Sequence, residues 1–348
     1  MKRKKSRGKK IAILAFVILF AAAMVIVYNY YQKVYQSVTT FKGEQYFYVH
    51  SNWSMDELKN GLEKQNIIKD IPSFSWVAEK KSFTQPKAGR YLIKSGMNNN
   101  ELINLLRSGE QQPLKVTFNS VRTKNQLAGK IAEQLELDSV QLLSMLKSDA
   151  VASKYGFNTE NFISMFIPNT YEFYWNTNSE AFVQRMAKEY KRFWTAERKA
   201  KASSLGLSQS EVSTLASIVQ AEQMAYPDER PKVAGLYINR LKIGMPLQSD
   251  PTLIFSIGDF SIKRVLDKHK SVDSPYNTYR HKGLPPGPIY LSSPNAIDAV
   301  LDYEKHAYLY MCAKADFSGY HYFSKTLSQH NTHARAYQRE LNRRKIMR

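Results

Sequence analysis

The sequence has very little cysteine, with Cys312 as the only one among 348 residues. A lone cysteine excludes an intrachain disulfide and any cysteine-rich metal site. None of the seven histidines belongs to an HExxH pair, so the motif of zinc proteases is absent as well. We therefore expect neither a metal ion nor another cofactor.

Acidic residues are also scarce, with 30 Asp and Glu against 50 Lys and Arg and a formal net charge of +20. Such an excess is typical of proteins that bind nucleic acid, anionic lipid or an acidic polymer. Surface lysines can equally serve only to keep a domain in solution. The charge alone does not decide between these functions.

A long apolar run near the N-terminus indicates where the protein works. Residues 11–27 carry no charge, follow seven Lys and Arg within residues 1–10, and lead into tyrosines at 28–31. Residues 11–31 are just long enough to cross a bilayer as one helix, and the basic tail 1–10 is expected to stay cytoplasmic. The remaining residues would lie outside, where nucleic acid is not an expected partner. A cleaved signal peptide is the alternative, because Ala21–Ala23 could form a cleavage site.

After this run, a strand pattern followed by a capped helix occurs three times. Each helix start has an N-cap residue, Glu or Gln three positions later, and then Leu: Ser54–Glu57, Asn98–Glu101 and Thr123–Gln126. The unequal spacing argues against a solenoid. We expect an α+β fold, with further helices at Asn125–Leu135, Ser139–Lys147 and Ala181–Ala200.

The most informative residue is Glu222. The capping box at Ser208–Glu211 predicts a helix that begins there, and helical spacing puts Glu222 on the apolar stripe of Leu215 and Ile218. Burial and the negative end of the helix dipole would both raise its pKa and keep it protonated. A proton donor near neutral pH needs this environment. Alternatively, Glu222 turns outward at the helix end and pairs with a nearby Lys or Arg.

The segments that follow Glu222 predict the wall of a cleft. A second helix begins near Pro231 and ends at Gly244, which can adopt a left-handed cap. A polar loop then carries Gln248 and Asp250. A buried acid, a helical hairpin and a rigid polar loop suggest a cleft more than a plain core.

Two further stretches are unusual. Gly283–Ile289 contains three prolines and two glycines, so it cannot be helix or central strand. A solvent loop does not need this restriction, whereas a backbone that faces a ligand does, although a plain surface loop is the alternative. Gly319–Ser324 alternates aromatic residues and is followed by Gln329–Asn331. Aromatic faces beside polar groups suit sugar rings, but taken alone these residues are better explained by core or strand-edge packing.

Together these segments resemble the endolytic murein transglycosylases of the YceG-like family. The resembling segments are LASIVQAEQ, KVAGLYINRLKIGMPLQSDPT, SPYNTYRHKGLPPGPI and GYHYFS with QHN, in this order. The helix motif of the family has two Glu residues, of which the second is catalytic. Gln220 replaces the first and Glu222 occupies the second. Other departures, at Asn169, Ile163–Ser164 and Gln329, concern secondary polar contacts and not the proton donor.

The resemblance implies a lytic transglycosylase that cuts the β-1,4 bond between N-acetylmuramic acid and N-acetylglucosamine and leaves a 1,6-anhydromuramyl end. Glu222 would protonate the leaving oxygen and then act as base toward the muramyl C6 hydroxyl, which attacks within the same molecule. The residues expected to hold sugar hydroxyls and the N-acetyl group are Gln248, Asp250, Asn277, Tyr279 and His321.

The resemblance also implies the organisation and partners of the chain. A small LysM-like module is expected at 43–110 and a mixed α/β catalytic domain at 115–348. The expected partner is the acidic glycan strand of peptidoglycan, and cutting would terminate growth of nascent strands. Peptidoglycan synthases, the penicillin-binding proteins, are candidate partners. The catalytic domain would be periplasmic or extracytoplasmic, anchored in the inner (cell) membrane.

Two other functions stay open from the sequence. A non-catalytic glycan-binding scaffold is suggested by Gln220 and by Ile163–Ser164. The other is a two-carboxylate glycoside hydrolase, which requires Asp250 at a defined distance from Glu222. A separation of about 5 Å would suit a retaining hydrolase, and one of roughly 6.5–9.5 Å would suit an inverting hydrolase.

Overall fold

A computed structural model describes residues 3–262 and 265–344 and divides the chain into two compact units. The first comprises Met1–Leu114 and Glu172–Asn176, and the second comprises Lys115–Tyr171 and Thr177–Arg348. The short segment Glu172–Asn176 thus belongs to the first unit, although the sequence places it inside the predicted catalytic domain 115–348. Helices and strands are mixed in both units, which is consistent with an α+β fold.

The first unit begins with helix α1 (Arg3–Tyr35). Within the described residues, Gly8–Tyr35 is the one helical stretch long and apolar enough to cross a membrane. The helix extends beyond the predicted span 11–31 at both ends. The first two residues of the predicted basic tail 1–10 lie outside the described residues.

The rest of the first unit is a small α/β arrangement. Its elements are β1 (Glu44–Val49), α2 (Met55–Lys64), α3 (Ile71–Lys80), β2 (Gly89–Lys94) and α4 (Asn99–Ser108). The two strands are antiparallel, with Phe47 opposite Tyr91, and both side chains are fully buried. The predicted capping boxes at Ser54 and Asn98 are confirmed, since each side chain accepts from the backbone N–H three residues later.

The second unit is mostly helical, and it holds one small sheet and the greater part of another. Its helices are α5 (Lys124–Ala132), α6 (Ser139–Lys147), α7 (Asp149–Lys154), α8 (Ser179–Phe193), α9 (Ala196–Ser204), α10 (Gln209–Glu222), α11 (Arg230–Lys242), α12 (Asp250–Ile257), α13 (Pro294–Leu301) and α14 (Leu327–Arg343). Strand β3 (Leu114–Phe118) pairs with β4 (Asn169–Phe173), and β5 (Tyr310–Ala313) pairs with β6 (His321–Ser324). Short 3₁₀ helices lie at Phe162–Met165, Pro227–Glu229 and Asp267–Ser271.

Two of the predicted helices have different bounds. The single helix predicted at Ala181–Ala200 is wrong, because α8 ends at Phe193 and Thr195 begins α9 by accepting from the Arg198 N–H. The extended backbone that an N-cap requires interrupts the helix at that point. Helix α5 ends at Ala132 and not at Leu135.

Helix α10 lies at the centre of the second unit and is buried along most of its length. Its predicted capping box at Ser208 and Glu211 is confirmed. It packs against α11, α12 and α13. Val212, Leu215 and Ile218 are fully buried, so hydrophobic contacts surround this helix up to its last turn.

The proline-rich segment 283–289 is fixed against this helix. The Ser217 hydroxyl of α10 accepts the Ile289 N–H at 3.0 Å. A Cβ at Gly287 would lie 2.2 Å from the Glu160 carbonyl oxygen, so only glycine fits this close backbone approach. The restricted conformation therefore serves packing around α10, and the segment is not a free surface loop.

Candidate active site

Glu222 is the last residue of α10 and lies in a pocket of about 320 Å³. Unlike the preceding turns of the helix, it is half-buried, and its carboxyl group faces the pocket. The pocket is formed by the end of α10, the facing side of α11, the loop before α12, and the region of β5 and α14. Its lining residues are Glu222, Leu236, Tyr237, Arg240, Gln248, Asp250, Tyr279, Tyr310, Met311, Leu327 and His330.

Two hydroxyl groups hold the Glu222 carboxyl group. The Tyr237 hydroxyl donates to Oε1 at 2.8 Å, and the Ser249 hydroxyl donates to the same oxygen at 2.5 Å. Within the described residues, no hydrogen bond reaches Oε2 and no Lys or Arg forms an ion pair with the carboxylate. The alternative of a surface ion pair is therefore not what the structure shows. Oε2 is the oxygen left to carry a proton into the pocket.

The pKa of Glu222 is raised above its ordinary value, mainly because burial disfavours the charged form. The hydrogen bonds from Ser249 and Tyr237 oppose this effect, since they stabilise the carboxylate. The nearby negative charge of Asp250 raises the pKa further. The net direction is the one that a proton donor at neutral pH requires.

The structure brings three of the other predicted site residues into the same pocket. Asp250 opens helix α12 with an exposed carboxylate, and Tyr279 donates to its Oδ1 at 2.5 Å. Gln248 has a positive φ of 52°, and its backbone N–H donates to the Thr278 carbonyl. Its side chain is exposed and lines the pocket. Glu222, Gln248, Asp250 and Tyr279 are thus neighbours in space.

Asn277 and His321 are not among the residues that line this pocket. The expectation of direct contact with sugar needs correction for the fully buried Asn277, and it stays a prediction for His321. The Asn277 amide is fully buried and donates to the Lys270 and Val272 carbonyls. Its Oδ1 accepts the Tyr279 N–H at 3.0 Å, so Asn277 positions Tyr279. The His321 Nδ1 lies 2.8 Å from Glu229 Oε2, in a contact that fixes strand β6.

Several pocket residues were not found from the sequence. Tyr237 and Arg240 lie on a helix whose spacing indicates only core packing, and Ser249 sits between two more conspicuous polar residues. The buried Arg240 guanidinium donates to the Leu247 and Leu309 carbonyls, which joins the loop before α12 to the chain before β5. His330 presents a buried Nδ1 that has no partner among the described residues. Only the QHN segment hinted at this histidine.

Two of the departures from the family motif, Gln220 and Gln329, have structural explanations. The Gln220 Oε1 accepts the Ser293 N–H at 2.8 Å at the start of α13. Gln329 accepts from the Thr326 N–H in the capping box of α14. Both residues act away from the pocket lining. Among the described residues, no group of three or more His, Cys, Asp or Glu side chains could hold a metal ion.

Comparison with known proteins identifies the class to which this fold and site belong. The sequence matches the YceG-like family over residues 47–336, and the chain belongs to that family. This confirms the family predicted from the motifs. A solved structure of a YceG-like protein from Listeria monocytogenes is similar, with a TM-score of 0.57 and 27% identity, over 83% of this chain and 98% of that one.

Two relatives carry a more specific name. The chain is 30% identical over 302 residues to the endolytic murein transglycosylase of Bacillus subtilis, covering 81% of this chain and 82% of that protein. It is 27% identical over 364 residues to the protein of the same name from Streptococcus pneumoniae serotype 2. That match covers 92% of this chain but 64% of the longer relative.

Proposed function

We propose that this protein is an endolytic lytic transglycosylase, a carbon–oxygen lyase that cuts peptidoglycan glycan strands. The observation that carries the proposal is Glu222, a half-buried carboxyl group with a raised pKa at the wall of an open pocket. Family membership and the names of the relatives support the same chemistry.

The proposed reaction needs only one proton-transferring group. Glu222 gives its proton to the glycosidic oxygen as positive charge develops at the muramyl C1. The carboxylate that results is stabilised by the hydroxyls of Tyr237 and Ser249. It then takes the proton of the muramyl C6 hydroxyl as that oxygen attacks C1. The nucleophile belongs to the substrate, so its effective concentration is high and the product is a 1,6-anhydro end.

A hydrolase is the second candidate, and one specific observation favours it. Asp250 presents an exposed carboxylate in the same pocket as Glu222. A second carboxylate could activate water or attack the sugar, and the product would then carry a reducing end. The non-catalytic scaffold has less support, because Gln220, one of the two departures that suggested it beside Ile163–Ser164, accepts a hydrogen bond at the start of α13.

Mass spectrometry of digested peptidoglycan separates these functions. We expect 1,6-anhydromuramyl ends from the wild type, loss of product with Glu222→Gln, and retained anhydro product with Asp250→Asn. Glu222→Gln removes the proton at almost unchanged volume, so its thermal midpoint should stay close to that of the wild type. Reducing ends that disappear with Asp250→Asn would establish the hydrolase instead, and undiminished product from Glu222→Gln would remove Glu222 from the mechanism.

The remaining expectations complete the proposal. Helix α1 would anchor the protein in the cell membrane, with residues 1–10 cytoplasmic and the catalytic domain 115–348 outside. The element order β1–α2–α3–β2 in the first unit supports a LysM-like module at 43–110. Cutting would terminate growth of nascent strands, beside peptidoglycan synthases as partners.

A further inference from the structure

A second pocket, of about 140 Å³, adjoins the end of α10. Ala221 and Pro251 contribute to its wall, and each is the chain neighbour of a residue in the first pocket, Glu222 or Asp250. The two pockets therefore flank the same short stretch of backbone. A substrate whose reacting bond lies at Glu222 can place a neighbouring substituent in the second pocket.

Among the residues that the structure describes, the lining of this second pocket combines apolar walls with one cation. Its walls include Met224, Ile254 and Phe255, and the cation is Arg122. No Asp or Glu is among the described residues that line it. An apolar substituent that also carries a negative charge is the chemistry that such a surface fits.

Arg122 is held in place by aromatic rings and has no acidic partner in the described chain. Its guanidinium carbon lies 4.6 Å from the centre of the Phe260 ring and 5.9 Å from that of Tyr290. A guanidinium over a ring face is attracted to the ring electrons while its N–H groups stay available at the edge. Those N–H groups match a carboxylate in a two-point, charge-assisted hydrogen bond.

The proposed substrate carries a substituent of this kind. The sugar rings of a peptidoglycan strand are uncharged, but each muramyl residue bears a lactyl group extended by a peptide. That substituent has methyl groups close to the ring and free carboxylates farther along. Since one ordered water needs roughly 10–15 Å³ of cavity, the second pocket has room for about ten non-hydrogen atoms of a substituent.

We propose that the second pocket binds the peptide substituent of a muramyl residue next to the scissile bond, with Arg122 pairing with a peptide carboxylate. This inference rests on the proposed function, because it names the part of that substrate which the site recognises. It makes the enzyme selective for strands that still carry their peptides.

The test compares two substrates with full-length protein in detergent. Un-cross-linked strands are used either intact or after an amidase has removed their peptides. We expect the wild type to cleave the intact strands with a kcat/KM about tenfold higher, the effect of one hydrogen bond to a charged group. Arg122→Gln should lower the ratio of kcat/KM on intact strands to kcat/KM on strands without peptides toward one, mainly through KM. Arg122→Lys, which keeps the charge but not the planar fork, should give an intermediate ratio.

Arg192→Gln is the matched control, because it removes one positive charge from the exposed surface of α8, where Arg192 pairs with Glu189. It should keep the wild-type ratio. An Arg122→Gln variant with the wild-type ratio, or a wild type that does not distinguish the two substrates, would overturn the inference while leaving the transglycosylase proposal intact.

A binding measurement separates this inference from the proposed reaction. Calorimetry with a soluble muramyl peptide compares the Glu222→Gln protein with a double variant that also carries Arg122→Gln. We expect the Kd of the single variant to be about tenfold lower. Such a difference supports the second pocket even if the wild type proves to cleave nothing, a result that would remove only the proposed reaction. Equal Kd values would refute the role of Arg122.

Discussion

Two opposing influences act on Glu222, and both are needed for the proposed chemistry. Burial alone would keep the carboxyl group protonated so firmly that it could not give up its proton. The hydroxyls of Tyr237 and Ser249 donate to Oε1 and stabilise the charged form. A residue that is first acid and then base must visit both states in each turnover. The pair of donors keeps the ionised state within reach.

Removing one of these donors should move the pH profile in a defined direction. The acid step needs protonated Glu222, so activity is lost as the pH rises through the pKa of Glu222. Tyr237→Phe removes a bond that favours the carboxylate, which raises this pKa. We expect the basic limb of the kcat/KM profile to move up by about one pH unit, since one unit corresponds to about 1.4 kcal/mol and a charged hydrogen bond contributes about that much.

Tyr303→Phe provides the control, because the Tyr303 hydroxyl contacts Lys242 and not the pocket lining. Its pH profile should match that of the wild type. A basic limb that moves down in Tyr237→Phe, or does not move, would contradict the role given to this hydrogen bond.

At the scale of elements, local patterns could be predicted and the contacts between distant segments could not. The start of α10 follows from Ser208 and Glu211 alone, since a capping box uses residues three apart. The placement of Ser249 against Glu222 depends on how the loop before α12 folds back, which no local pattern encodes. Asn277 is the opposite case, since its place in a polar motif predicted contact with sugar. In the structure its side chain is outside the pocket lining and instead positions Tyr279.

The close packing of α11 gives a prediction with an internal control. A Cβ at Gly235 would lie 2.2 Å from the Glu304 carbonyl oxygen, whereas one at Gly129 in α5 would meet nothing within 4 Å. Gly235→Ala should therefore lower the free energy of unfolding by about 1–3 kcal/mol. Gly129→Ala should raise it by roughly 0.5–1 kcal/mol, because alanine is the better helix former. Denaturant unfolding of the full chain measures both.

Equal effects of the two substitutions would show that helix propensity dominates. This result would contradict the predicted steric clash between a Cβ at residue 235 and the Glu304 carbonyl oxygen.

Glu229 joins the turn after α10 to strand β6 and makes this connection depend on pH. Burial raises the pKa of Glu229, but hydrogen bonds from His321 and Gln223 outweigh burial, and the net pKa is lowered. A lowered carboxyl pKa contributes stability that is fully present above the unfolded value of about 4.3 and is lost as the pH falls through the folded value.

The thermal midpoint of the wild type should accordingly exceed that of Glu229→Gln at pH 7, and the difference should shrink below about pH 4.3. Calorimetric scans of both proteins between neutral and acidic pH measure it. A difference that grows on acidification would mean that Glu229 is protonated in the folded protein.

At the scale of the whole molecule, helix α1 is joined to the first unit without a flexible linker. Val34 near its end is buried in the core of that unit, and the Lys33 carbonyl accepts from the Asn99 amide at 2.9 Å. Tyr30 packs edge-on against Trp76 with ring centres 5.8 Å apart. If α1 spans the membrane as proposed, its direct entry into this folded core would keep the first unit close to the bilayer surface.

The proposed topology can be tested with cysteine labelling, because the chain has only one natural cysteine to remove. In a Cys312→Ser background, Ser203→Cys lies at the exposed end of α9, and Ser6→Cys precedes the apolar run. A membrane-impermeant maleimide should label Ser203→Cys in intact spheroplasts and Ser6→Cys only after permeabilisation, because basic residues keep the N-terminus cytoplasmic.

Gel electrophoresis of the labelled proteins also decides whether helix α1 is retained or cleaved. If it is an uncleaved anchor, both labels run with a membrane-bound chain of about 40.1 kDa. A cleaved signal peptide would instead separate the Ser6→Cys label from the rest, and the opposite labelling pattern would place the pocket of Glu222 in the cytoplasm, away from the proposed substrate.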